Sequence, residues 1–284
     1  MIKIVTDSAC QMSPAQAKQH GSIYVAPLMI TINNHSYRDF EQITDIQLFR
    51  MIKNGAVPST SQPSIGEKTE IYNQIIAEGN EVIDITMADG LSGTYQSALL
   101  AKDTCDDPDK VSVVNAQTLC VPQYVLVNQA QKMAASGASK DAILTMLEKS
   151  IPTSENFMIP VDFDFLVRGG RLSNASGILG GLLKLIPIIR ANKTCTKLEK
   201  FAIVRTYTKA LKMMLDTFEK DGVTNEYTFC LSHAHNEEWV NKAIQLIQKR
   251  FENAKVVILP MSPAYICQGG PGCIAFQAIH IINE

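Results

Sequence analysis

Hydrophobic and polar positions along this chain change repeatedly between a period of two and a period near 3.6. Residues 2–6 form a short β-rich run that stops at Asp7-Ser8. Ser13-Pro14 then has the form of a helix start, with Ser13 as N-cap and Pro14 in the first turn. Residues 22–32 read as a second β-rich run, Asn33-Asn34 as a turn and residues 35–40 as a hairpin return. Residues 45–54 place Ile46, Leu48, Phe49 and Ile52 at helical spacing, and Gly55 ends the segment. The hydroxyl-dense stretch PSTSQPS, residues 58–64, reads as a loop. Ser64-Ile65-Gly66-Glu67 fits a capping box, which predicts a helix from Ile65 to about Glu78.

The next elements are a strand over 81–87, a loop over 88–93 and a helix over 94–103. A strand over 110–115 and helices over 121–135 and 141–150 follow. Strands alternating with helices imply βαβ units and a parallel sheet. Pro, Thr, Ser and Asn between periodic segments mark a boundary in 151–156. The expectation is two domains. Residues 1–152 form an N-terminal parallel-sheet α/β domain with a β-hairpin insertion near 22–40, and residues 153–284 a C-terminal α/β domain of α+β-like character. The second half is predicted as strands over 157–161, 186–191, 197–204, 226–233, 255–260 and 274–282, with helices over 163–169, 207–220 and 237–251. Leu211, Met214 and Leu215 share one face of the 207–220 helix. Residues 173–185 are small and apolar. No internal repeat or low-complexity tract is visible.

Composition narrows the class. The length of 284 residues suits two domains, and 46% hydrophobic against 19% charged residues permits a sizeable core. A net charge of −2 gives no nucleic-acid footprint. No run of about 18 apolar residues predicts a membrane span, and the apolar start, broken at Asp7, is too short for a signal peptide. Seven scattered cysteines fit a reducing, cytoplasmic setting better than a disulfide framework. His233 and His235 lack partners at a familiar metal-ligand spacing, so no metal is expected.

Three segments share one character, a hydroxyl- or amide-rich loop opening onto a helix or strand: Ser59-Thr60-Ser61, Leu91-Ser92-Gly93-Thr94 and Gln268-Gly269-Gly270-Pro271-Gly272. The first two fall at predicted helix N-termini, where unpaired N–H groups and the helix dipole favour an anion. Hydroxyls there suit a carboxylate or phosphate, and equally suit plain helix capping. Gly90-Leu91-Ser92-Gly93 also approaches the Gly-x-Ser-x-Gly elbow of serine hydrolases but lacks its last step. An esterase using Ser92 therefore stands as one alternative, and a lipid-insensitive adaptor as another.

Together, IVTDS, TSQPS, LSGTYQSA, the run from Asp164 to Arg171 (DFLVRGGR) and a late Gly-Pro-Gly resemble the bacterial DegV family, in order and from Ile4 to Gly272. The resemblance implies a two-domain α/β (EDD) fold with a lipid tunnel between the domains. It implies a carrier without catalytic activity of its own and no cofactor besides a bound long-chain fatty acid. The carrier presents the acyl carboxylate to the catalytic subunit of an ATP-dependent fatty acid kinase. It then takes the acyl phosphate toward the acyltransferases of phospholipid synthesis. Neither nucleic acid nor stable membrane insertion is implied.

The same resemblance assigns carboxylate binding to Thr60 and Ser92. Many members complete the site with a histidine where this chain has Gln268, which can donate a hydrogen bond but cannot titrate. Asp7, Ser8, Ser61, Gly93, Thr94, Gly269 and Gly270 are expected to support the pocket, with Asp39 beside Asp7. Many members also have Lys-Pro where this chain has Ile186-Pro187. Read from its residues, SGILGGLLKLIPII suits an acyl tunnel lined by Ile178, Leu179, Leu182, Leu183 and Ile186, and suits ordinary interface packing as well. Arg168, Arg171 and Arg205 are candidates for docking a partner. Bracing of the domain interface through Asp162 and Asp164 is the other reading.

Overall fold

The computed structural model describes residues 1–161, 163–172 and 185–283. The chain opens with strand β1 (Ile2–Asp7), helix α1 (Pro14–Gln19), strand β2 (Ile23–Ala26) and a hairpin of β3 (Met29–Ile32) and β4 (His35–Arg38). Helix α2 (Asp45–Lys53), β5 (Ser59–Ser61), α3 (Ile65–Ala77), β6 (Glu81–Thr86) and α4 (Thr94–Thr104) come next, then β7 (Val111–Asn115), α5 (Val121–Ala135) and α6 (Lys140–Ser150). The second half runs β8 (Glu155–Ile159), α7 (Phe163–Arg168), β9 (Ile186–Ala191), β10 (Leu198–Val204), α8 (Tyr207–Lys220), β11 (Thr228–His233) and α9 (Glu237–Arg250). It ends with β12 (Lys255–Pro260), α10 (Pro263–Gly269) and β13 (Ile274–Ile279).

Three sheets result. Strands β2-β1-β6-β7 form a parallel sheet. Its strands are apolar on both faces because both faces are covered. Tyr72, Ile75 and Ala101 from α3 and α4 close one side, and Val121, Leu126, Ile143 and Leu147 from α5 and α6 the other. The second sheet has the order β10-β9-β8-β13-β11-β12, antiparallel except for the β11–β12 pair. Its outer face packs Phe157, Phe229 and Phe276 against Phe218 of α8 and Trp239 of α9. Its inner face meets α5, since Cys230 and Ile279 join the same cluster as Leu126. The mixed α/β class is therefore the one read from the sequence. Among the described residues no helix is long and apolar enough to cross a membrane.

Several local expectations change. The run over 22–32 is two strands: β2 joins the parallel sheet, while β3 turns away to pair with β4 and β5 in a separate three-stranded sheet. Ser59–Ser61 is thus a strand, not a loop at a helix start, because its backbone is claimed by β3. Ser64 makes no side-chain cap bond, so the capping box is absent. Glu67 instead holds the Arg38 guanidinium in a two-pronged ion pair at 2.8 and 2.6 Å. Ser13 does cap α1, with Gln16 completing the box. Helix α10 fills a stretch for which no element was predicted and takes in Gln268 and Gly269 of the expected loop, although Ser262-Pro263 repeats the Ser-Pro signature of α1.

One polar cluster is built into the core itself. Asp84, on a strand covered on both faces, has no exposure and pairs with the equally buried Lys68 at 2.5 Å. Tyr72 donates to the same carboxylate oxygen. A charge placed there must be paired, since desolvation would otherwise neutralise it.

Candidate functional site

Strand order reverses between β1 and β6, and ligands of open α/β sheets gather outside the carboxyl ends of strands at such a point. Asp7, the last residue of β1, spans it. Its Oδ1 accepts from Ala9 N at 3.0 Å and its Oδ2 from Met87 N, beyond β6, at 2.9 Å. Ser8 and Asp39 extend the support. Ser8 Oγ donates to Asp39 Oδ2 at 2.7 Å and accepts from Leu28 N at 3.0 Å, while Asp39 Oδ1 accepts from Ala264 N of α10 at 3.1 Å. Both carboxyls are wholly buried, and desolvation raises Asp7 to about 6 and Asp39 to about 7. These groups face backbone rather than open space, so they hold segments in register.

The segments they hold surround an open cavity. Leu28, Met87, Leu91, Leu119, Met158, Leu166 and Leu198 make its wall apolar. Thr60, Ser61, Ser92, Arg171 and Gln268 line it as well. Gln268 Nε2 donates to Thr60 Oγ1 at 3.0 Å, and Gln268 Oε1 is buried without a hydrogen-bond partner among the described residues. Ser92 Oγ lies 2.8 Å from Thr94 Oγ1 and accepts from Thr94 N at 3.3 Å, so it also caps the first turn of α4. The three residues expected at the head of the site therefore line one cavity, although 208 positions separate Thr60 from Gln268.

The glycines here are spacers. A Cβ on Gly90 would stand 2.2 Å from Thr196 Cα in the β9–β10 connection. The glycine that suggested a nucleophile elbow is thus required by close backbone approach from the second sheet. A Cβ on Gly269 would meet Met158 Cε at 2.3 Å, one on Gly270 the Phe165 ring at 2.7 Å, and one on Gly169 the Gln268 Oε1 at 2.0 Å. Gly93 is exposed and borders Gln62; Thr94 is buried.

The arginines separate. Arg171 is half-buried, lines the cavity, and donates from Nε to Leu91 O at 3.1 Å and from Nη1 to Gly169 O at 2.5 Å. Arg168 and Arg205 are exposed, and Arg168 stacks on Phe165 at 4.8 Å. Arg171 is thus a cavity residue, which its place in an Arg-Gly-Gly-Arg run could not reveal. Of the acyl-tunnel residues, Ile178, Leu179, Leu182 and Leu183 lie outside the described residues, as does Asp162. Ile186 packs against the outer-face core and is not a wall of the cavity, because β9 points it toward α8. Tyr265 and Ala264 of α10 do line the cavity and went unread along with their helix.

Fold and site together define an α/β protein of packed sheets with a mostly apolar cavity at the carboxyl ends of its parallel strands. The chain belongs to the DegV family: the family model described as "Uncharacterised protein, DegV family" matches residues 1–280. A DegV domain-containing protein of Caldanaerobacter subterraneus subsp. tengcongensis is 31% identical over 257 residues, covering 90% of both chains. Among solved structures, the chain is similar to a DegV family protein from Thermus thermophilus described for its fatty acid binding, with TM-score 0.87, 26% identity and 99% of each chain covered. It is also similar to DegV of Bacillus subtilis, described as a fatty acid binding protein, with TM-score 0.83, 25% identity and coverage of 98% and 99%.

Proposed function

We propose that this protein binds one long-chain fatty acid, with the carboxylate at Thr60, Ser92 and Gln268 and the alkyl chain in the apolar cavity. The observation that carries the reading is that these three side chains line one mostly apolar cavity, two of them hydrogen-bonded to each other. Burial of methylenes supplies the affinity, at about 0.8 kcal/mol each, and the polar groups fix orientation. A carboxylate is an acceptor only. Because Thr60 Oγ1 accepts from Gln268 Nε2, the Thr60 hydroxyl keeps its proton to donate to the ligand, and the second Nε2 hydrogen can donate as well. Arg171 adds positive charge to the same wall.

Among the described residues lining the cavity, none is a carboxylate that could act as a general base beside Ser92. Its hydroxyl partner is Thr94, and no histidine is among the described residues lining the cavity. A carrier therefore fits better than an esterase. In this reading the carrier, itself without catalytic activity, presents the carboxylate to the catalytic subunit of an ATP-dependent fatty acid kinase in the cytoplasm. It delivers the acyl phosphate to acyltransferases of phospholipid synthesis, and the exposed Arg168 and Arg205 serve as docking cations. Residues 1–152 and 153–284 act as two domains with the lipid between them.

Native mass spectrometry of the purified protein is expected to show a mass excess of one fatty acid. Addition of a bacterial fatty acid kinase subunit and ATP is expected to yield acyl phosphate. An apoprotein that takes up no long-chain acid overturns the reading, and fluorophosphonate labelling at Ser92 with ester hydrolysis favours the esterase.

A further inference from the structure

Strand β13 reads IAFQAI, and every residue of it is buried. Alternation sends Ile274, Phe276 and Ala278 to the outer core, which leaves Ala275 and Gln277 on the inner face. Gln277 there lines a second cavity of about 410 Å³ with Asn156, Met261 and Ala275. The two cavities share Leu119, Met158, Leu198 and Tyr265 as walls, so the second adjoins the first as a far chamber whose lining lacks Thr60, Ser92 and Gln268. An amide in the wall of an apolar chamber calls for a reason.

The Gln277 amide has one orientation. Nε2 donates to Leu119 O at 3.1 Å and to Asn156 Oδ1 at 2.6 Å, which uses both hydrogens and forbids a half-turn that would set oxygen against oxygen. Asn156 is held in turn by Thr118 and Ser154. Among the described residues Oε1 is left as a buried acceptor without a hydrogen-bond partner in a residue 2% exposed, and the buried Tyr265 hydroxyl donates to none. Buried polar atoms are seldom left so, and a plain alkyl chain satisfies neither.

We propose that the far chamber is a subsite for a hydroxyl group on the distal half of the bound acyl chain, making hydroxy fatty acids the preferred ligand class. The hydroxyl donates to Gln277 Oε1 and accepts from Tyr265 Oη. This rests on the fatty-acid reading of the near cavity, where the carboxylate sits at Thr60 and Ser92.

The test is a competition series in which stearate, 3-hydroxystearate, 10-hydroxystearate, 12-hydroxystearate and 17-hydroxystearate displace a fluorescent fatty acid from the full-length protein. One distal isomer is expected to bind about fivefold tighter than stearate, and the 3-hydroxy isomer no tighter. In Gln277→Leu and in the near-isosteric Tyr265→Phe the ratio of that isomer to stearate is expected to fall to one or below. The second variant removes a single oxygen and guards against a folding defect in the first. Stearate binding without preference for any distal isomer, or a preference that persists in both variants, overturns this inference alone. Failure of the wild-type protein to bind stearate and every isomer overturns the fatty-acid reading and this subsite with it.

Discussion

Gln268 Nε2 and Thr60 Oγ1 meet at 3.0 Å, joining helix α10 to strand β5 across 208 positions of the chain. The bond connects two of the three residues that face the proposed carboxylate, and each is held by a separate element. The head of the site is therefore a joint between elements rather than a local loop.

Removing one hydroxyl from that joint is expected to weaken binding while the fold survives. Thr60→Ala and Ser92→Ala should each lower fatty-acid affinity about tenfold, as loss of a hydrogen bond to a charged group does. Isothermal titration with a single acid checks this, with circular dichroism as the fold control. Full affinity in both variants would move the carboxylate elsewhere.

Gln268→His is expected to add pH dependence. An imidazole titrates near neutrality and its cationic form attracts a carboxylate. Affinity should rise more steeply from pH 8 to pH 6 in the variant than in the Gln268 protein. Parallel slopes would show that position 268 does not face the ligand's charge.

Gly90→Ala is expected to cost about 1–3 kcal/mol of stability by overpacking. The new methyl would press on the backbone of Thr196, which cannot rotate away as a side chain does. Urea denaturation gives the measurement. Unchanged stability would show that the β9–β10 connection yields to the added methyl.

Asp39 predicts a pH effect on stability. Its folded pKa, raised to about 7 by burial, lies above the ordinary aspartate value of 3.8. The folded state therefore binds the proton more tightly, and the contribution is complete below the unfolded pKa and lost as pH rises through about 7. Asp7, raised to about 6, acts in the same direction. Stability should fall between pH 5 and pH 8, and Asp39→Asn should flatten that fall by at least about 1 kcal/mol. Thermal melts across the range test it. An unchanged slope would mean that the Asp39 charge is compensated.

The sequence by itself determined what depends on neighbours in the chain. The parallel-sheet class followed from apolar runs alternating with amphipathic helices, and the start of α1 from Ser13-Pro14. Thr60, Ser92 and Gln268 were legible only through a resemblance of motifs, since no local signal brings them together. Tertiary structure decided the rest. Pairing with β3 made Ser59–Ser61 a strand, and contact with Glu67 drew Arg38 to where a capping box had been expected. Packing turned Arg171 into the cavity and Ile186 away from it. Gln277 shows the limit most plainly. As one polar residue in IAFQAI it carries no message, and its open acceptor exists only because Leu119 and Asn156 arrive from distant segments to hold the amide. Propensity and periodicity are local, while hydrogen-bond satisfaction inside a core is settled by whichever groups the fold brings within reach.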